Sequence, residues 1–222
     1  MGSSSGCWGE GEVTDAGIRR LGVVSLVQLQ PEGLIIETPG ETPSGSLYDA
    51  SRRVEVDRLQ ITPSGIEARL PGGERVLDIH HLDHPGKAYD EDDLVCIGFT
   101  AHYDAMRREF GDHMVDGIAG ENIVIDSAAE VWPADLGARL GIENQDTGEL
   151  AHLSMMGVAA PCVEFSQFCV RLQHERIATS RMREILRFLG GGRRGFLLVL
   201  DEVHDAVTVR PGDKVFTLGD DG

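Results

Sequence analysis

The sequence predicts a mainly β fold with peripheral helices, and three observations carry that expectation. Short runs rich in Val, Ile and Leu recur along the chain, divided by breaks such as "QPEG", "PSG" and "PGG". Those runs follow one another at the spacing of a sandwich or barrel, not with the regular helical interludes of βαβ units. Two stretches stand out with a helical apolar stripe. With 222 residues, 41% of them hydrophobic, the chain can bury a sizeable core. It divides into a tail over residues 1–17 and one domain over residues 18–222.

The elements follow in order. Residues 1–17 are rich in Gly, Ser and acid, lack periodicity and read as a disordered tail that contains Cys7 and Trp8. From Arg19, "LGVVSLVQL" and "GLIIET" read as strands on either side of "QPEG". "PGETPSGSLYDASR" reads as a loop, and "VEVDRLQIT", "GIEARL" and "ERVLDIHHL" as short strands. The first helix runs from Thr100 to Gly111, with Tyr103, Met106 and Phe110 on one face, Thr100 as N-cap and Gly111 as the stop. The second is "TSRMREILRFLGGG", which places Met182, Ile185, Leu186 and Leu189 at helical spacing before three glycines. "GFLLVL" reads as a buried strand and "DAVTVRPGDKVFTL" as strand, turn, strand, with "RPGD" and "PGG" expected to join antiparallel strands of one barrel.

Charge narrows the function classes. The 37 acidic side chains outnumber 20 basic ones, a formal net charge of −17 that repels phosphate backbones and anionic membranes. A small anionic ligand is still possible, because a few local arginines overcome a diffuse field. No apolar run reaches the ~18–20 residues of a membrane span, and the N-terminus lacks the basic segment and apolar core of a signal peptide. The expectation is a cytoplasmic protein without nucleic-acid or membrane partners, its cysteines present as thiols.

Three constellations bear chemistry. "GVAAPCVEFSQFCV" holds Cys162 and Cys169. Continued as one strand, they face opposite sides and lie roughly 23 Å apart at ~3.3 Å per residue, beyond disulfide reach and unlike a zinc knuckle. Small-apolar packing is the plain reading of each thiol. Cys162, directly after Pro161, is expected to be the most reactive cysteine of the core, whereas Cys96 in "LVCIGF" is expected to be shielded by burial. "DIHHLDH" brings His80, His81 and His84 close to Asp78 and Asp83, a set able to ligate zinc or iron if the chain folds them together. "GIAGEN" at residues 117–122 is either a turn in which Glu121 or Asn122 ties down backbone amides or a ligand-facing loop. Walker, Rossmann and nucleophile-elbow fingerprints do not occur in the sequence.

Taken in order, "HYDAMRREFG", "GIAGENIVID", "GVAAPC", "GRRGFLLVL" and "VRPGDKVF" resemble the MOSC domain, named for the C-terminal domain of molybdenum-cofactor sulfurases. The similarity spans roughly residues 75–218 and implies a β-barrel with peripheral helices. It implies that Cys162 carries sulfur as a persulfide or ligates molybdenum in a molybdenum-pterin cofactor, and that Gly120, Glu121 and Asn122 shape the pocket. A pyridoxal-phosphate-dependent, cysteine-desulfurase-like partner would donate the sulfur. Reduction of N-hydroxylated compounds, known among such relatives, would need an electron-donor partner, because the sequence shows no heme, flavin or ferredoxin signature. Two departures stand out. Ala159 occupies the place of the family's arginine, and "HHLDHPGKA" replaces its histidine-plus-two-glycines stretch. Arg171, Arg193, Arg194 and Lys87 are the cations available to compensate, with Arg171 and Arg194 taken as cofactor-binding candidates. The alternatives are a barrel that binds without chemistry, or a metal-dependent enzyme built on the His80, His81 and His84 cluster.

Overall fold

In a computed structural model, residues 18–87, 94–201 and 203–218 are described. The expected tail and the acidic run at 90–93 lie outside them. The strands are β1 (Arg19–Leu29), β2 (Ile35–Glu37), β3 (Ser46–Tyr48), β4 (Val54–Glu55), β5 (Leu59–Thr62), β6 (Gly65–Arg69), β7 (Arg75–Leu77), β8 (Val95–Phe99), β9 (Ile123–Asp126), β10 (Arg139–Glu143), β11 (Leu150–Val158), β12 (Phe196–Leu200), β13 (Val207–Val209) and β14 (Lys214–Leu218). The helices are α1 (Thr100–Phe110), α2 (Pro133–Leu136), α3 (Val163–Cys169) and α4 (Thr179–Leu189).

Seven strands close into a barrel in the order β14-β10-β11-β12-β8-β9-β1, with β1 pairing back onto β14. The long first strand makes closure possible, because it pairs with β14 near its start, β9 along its middle and β4 at its end. Its register shifts between Arg20 and Gly22 and again between Val24 and Leu26, the bulges that bend a strand around a barrel. Gly22 is required there, since a Cβ would sit 2.0 Å from the Asp126 carbonyl oxygen. Inside, Val95, Ile97 and Phe99 alternate along β8 and Phe196, Leu198 and Leu200 along β12, all buried.

Strands β8 and β9 are parallel, and α1 lies on the segment that connects them. A separate sheet, β13-β5-β6-β7, packs on the barrel core, and β2 pairs with β3. A second core of Tyr48, Tyr103, Met106, Phe165, Cys169, Ile185 and Leu189 fills the space among β3, α1, α3 and α4.

Several expectations need correction. The α1 N-cap is Phe99, without a side-chain cap; Thr100 is already helical, and its hydroxyl donates to Asp126 Oδ1 at 3.1 Å. The segment read as a loop contains β3 and a 3-10 turn at Ala50–Arg52, where Asp49 Oδ1 accepts the Ser51 N–H. "RPGD" leads from β13 to β14 in different sheets, because buried Asp213 accepts from the Arg210 and Gln145 amides and turns the chain away from a hairpin. "PGG" does join an antiparallel pair, β6 and β7, but outside the closed barrel. Residues 163–169 are helical, so Cys162 and Cys169 lie at the two ends of α3 and not along a strand.

Candidate functional site

The site begins where β11 ends. Pro161 cannot donate to a ladder and the chain leaves the sheet. Cys162 then becomes the N-cap of α3: its Sγ accepts the Phe165 N–H at 3.4 Å and its carbonyl accepts the Ser166 amide and hydroxyl. The sulfur is thereby held, half-buried, at the wall of a cleft of about 450 Å3. Tyr48, Cys96, Gly120, Ala159 and Arg194 line the same cleft, and His80 and Gln30 complete its polar side.

Arg194 is the one permanently charged side chain among the described residues of that lining. It donates to the Ala160 carbonyl at 3.2 Å and lies 5.5 Å from the centre of the Phe165 ring. Its Nε is buried without a hydrogen-bond partner among the described residues. Burial by itself would lower this guanidinium's pKa, but the Tyr48, Cys162, Cys96 and Glu121 groups around it outweigh that and hold it raised. Beside it stands Ala159, whose N–H donates to the Gly195 carbonyl at 3.0 Å. Of the other cations named from the sequence, Arg171 is exposed past the end of α3 and does not line the cleft. Arg193 pairs with Glu130 at 2.7 Å and covers Trp132 and Phe188, and Lys87 is also outside the lining.

The "GIAGE" loop is tied down carbonyl by carbonyl. Gly117 O accepts from Gln28 and Arg53, Ile118 O from the Tyr48 hydroxyl, Ala119 O from Arg194, Gly120 O from Gln30, and Glu121 O from Gln28. Gly120 faces the cleft at φ +96°, and a Cβ would meet Gln30 Nε2 and Leu34 Cδ1 at 2.9 Å. Glu121 and Asn122, by contrast, are buried behind the wall. Glu121 Oε2 accepts the Tyr103 hydroxyl at 2.5 Å, while Oε1 has no partner among the described residues and the carboxyl fills space left open by Gly98 and Gly195. Burial pushes its pKa up to about 7, against the lowering effects of Tyr103, Arg194 and Arg53. Asn122 Oδ1 accepts the Cys96 N–H at 2.9 Å and its own N–H donates to the Cys96 carbonyl at 2.7 Å. Its Nδ2 donates to Asp78 Oδ2, also at 2.9 Å. Of the two residues considered for tying down amides, Asn122 does so through its side chain.

The three imidazoles do not converge. His80 Nδ1 is 2.7 Å from Asp78 Oδ1 and faces the cleft, His81 is buried and accepts the Asp83 amide, and His84 Nε2 turns to the Pro31 carbonyl. Burial lowers the His81 pKa. Successive tight turns through 78–87 send each ring a different way, and among the described residues no three His, Cys, Asp or Glu side chains meet as a metal-holding group. Among the described residues, the histidine cluster expected from the sequence is therefore not brought together.

Cys169 is buried and its thiol pKa is raised by burial. Cys96 corrects the expectation of shielding: it is half-buried and lines the cleft opposite the barrel core. The signal was present in "VCIGF", because Val95, Ile97 and Phe99 face inward and period two puts Cys96 and Gly98 on the other face. Tyr48 and Gln30 had no such signal, since their partners lie far along the chain. A larger cleft of about 630 Å3 opens over β5 and β6, lined by Glu55, Asp57, Arg58 and Arg69, but it contains no thiol or imidazole.

No family model and no curated protein matches the chain. The crystal structure of a hypothetical protein is similar over 91% of this chain and 70% of its own length, at 14% identity and a TM-score of 0.52, a likeness of fold. The YuaD protein from Bacillus subtilis is similar over 87% of this chain and 97% of its own, at 14% identity and a TM-score of 0.47. YiiM from Geobacillus stearothermophilus is similar over 88% and 76%, at 13% identity and 0.46. No helix among the described residues is long and apolar enough to cross a membrane.

Proposed function

We propose that this is a MOSC-type protein that carries sulfur as a persulfide on Cys162. The observation that supports it most is the seating of Cys162: a half-buried sulfur capping a helix, open to a cleft whose one permanent charge among the described residues is the Arg194 cation. A thiol that carries sulfur must be reachable, and the thiolate that attacks the donor is favoured by a nearby cation in a partly buried site. Loading is balanced as a displacement. The Cys162 thiolate attacks the outer sulfur of a donor persulfide, a new S–S bond forms, and the donor's thiolate departs with the electron pair of the broken bond. The donor class is a desulfurase-like partner, and exposed Ile35 and Val158 at the cleft rim offer such a protein apolar contact.

The unpartnered Arg194 Nε favours a second occupant of the same cleft, an anionic ligand such as a molybdenum-pterin cofactor. The donor set fits: the Cys162 sulfur is a soft ligand, Arg194 an anion partner, and about 450 Å3 lies within the range of small-molecule sites. When bound, that cofactor would supply two-electron chemistry suited to N-hydroxylated compounds, with electrons from a partner. Arg194 stands where the missing arginine at position 159 would otherwise leave the cleft without a cation.

Protein purified from molybdenum-sufficient cells tests both. Cyanide-labile sulfur is expected on the wild type and absent from Cys162→Ser, while molybdenum and pterin report the cofactor. Sulfur or molybdenum retained in folded Cys162→Ser rejects the assignment of Cys162.

A further inference from the structure

The cleft contains a second sulfur. Cys96, on β8, lines it together with Cys162, and the two come from different layers: β8 is part of the barrel wall, and Cys162 belongs to the helical layer. The Cys96 backbone is held at both its polar groups. Asn122 bonds both its N–H and its carbonyl, and Asp78 in turn fixes the Asn122 amide. Gly195 leaves the space in which the sulfur rests; a Cβ there would lie 3.0 Å from Cys96 Sγ and 2.8 Å from the Ile97 carbonyl oxygen. The neighbouring Arg194 then presents its charge to both sulfurs across the same cleft.

We propose that Cys96 is the internal acceptor of the sulfur that Cys162 carries, so that the cleft is a two-thiol relay. This rests on the persulfide reading of Cys162. The Cys96 thiolate attacks the outer sulfur of the protonated Cys162 persulfide. A bond forms between Cys96 Sγ and that sulfur, and the bond from it to Cys162 Sγ breaks. The electron pair stays on Cys162 Sγ, the proton stays on the transferred sulfur, and no external oxidant or reductant is consumed. Direction follows from the surroundings of the leaving sulfur, since Cys162 Sγ already accepts the Phe165 N–H at the start of a helix, which receives the thiolate. Asn122 is a positioning residue in this scheme, because it holds the β8 backbone that carries the acceptor.

The test loads the full chain with one equivalent of glutathione persulfide, quenches by alkylation at intervals and maps the added sulfur by mass. On the wild type the sulfur is expected first on Cys162 and then on Cys96. In Cys96→Ser it is expected to remain on Cys162, with turnover to an added thiol slowed about tenfold or more, the cost of losing a held neighbouring nucleophile. In Cys162→Ser, Cys96 is expected to stay unloaded. Sulfur that loads on wild-type Cys162 and never reaches Cys96 overturns the relay and leaves the persulfide reading standing. Failure to load Cys162 at all overturns both. Direct loading of Cys96 in Cys162→Ser, or a Cys96–Cys162 disulfide with release of sulfide, also overturns the relay. The wild-type time course decides the matter even if a variant fails to fold.

Discussion

The barrel interior and the layer among β3, α1, α3 and α4 are built on different chemistry. The barrel core is aliphatic with Phe99 and Phe196, its strands bonded to one another and its side chains alternating inward. The helical layer is held by polar contacts as much as by packing: the Tyr48 and Tyr103 hydroxyls bond the Ile118 carbonyl and Glu121, and Cys162 caps α3. The cleft lies on the seam, taking Cys96 and Leu197 from the barrel wall and Tyr48 and Cys162 from the other layer. One thiol of the cleft is thus fixed by a sheet and the other by a helix end. The buried ionisable groups mark the same division. His102, against Phe99, Trp132 and Phe196, has its pKa lowered to about 4 by burial, whereas Glu121 at the seam is raised to about 7.

Breaking the barrel side should cost most. Phe196→Ala removes a fully buried ring that packs on Phe99 and is expected to lower unfolding free energy by about 3–5 kcal/mol in denaturant titration. A loss below about 1 kcal/mol would mean that the barrel core is not the stabilising unit.

The pH dependence separates the two regions next. Folded Glu121 keeps its proton up to about pH 7, whereas its ordinary value is 4.5. Between those values the folded state binds more protons, so its contribution to stability falls as pH rises and is gone above about 7. His102 works in the opposite sense: unfolded it gains a proton below about 6.5, folded only near 4, so its contribution is lost as pH falls. The wild type should therefore change little from pH 4.5 to 6.5 through this pair. Glu121→Gln should expose the histidine slope, with stability rising across that window and the total difference from wild type changing by up to roughly 3 kcal/mol. Parallel pH curves for the two proteins would show that Glu121 does not titrate in this range.

The smallest effect on stability belongs to the cleft sulfur. Serine is a good N-cap, so Cys162→Ser should shift unfolding free energy by less than about 1 kcal/mol. Brief alkylation of the native wild type should label Cys162 and Cys96 and spare Cys169, whose thiol is buried at the far end of the same helix. Labelling of Cys169 ahead of both would place the reactive sulfur in the second core and not at the seam.

Much of this was legible residue by residue. The glycine stop of α1 and the stripe of α4 follow from local spacing, while "GIAGEN", left open between a turn and a ligand-facing loop, is a turn whose Gly120 lines the cleft. Local spacing failed at 162–169, because a seven-residue helix held by one cap and by aromatic packing against Tyr48 has a weak stripe of its own. It failed at β3 for the same reason: three residues form a strand there by pairing with β2 and leaning on α3.

The sequence by itself determined the mainly β class and the two main helices, because period and glycine placement act over a few residues, whereas Cys162 stands out only through the resemblance of "GVAAPC" to the MOSC pattern. Only the tertiary structure decided that Arg194 and not Arg171 is in the cleft, that three neighbouring histidines part company, and that Cys96 faces Cys162's cleft. Those outcomes depend on which distant strands close a barrel and where a helix layer covers it. A side chain's neighbours across such a seam are set by packing between segments far apart in the chain, and no local pattern encodes them.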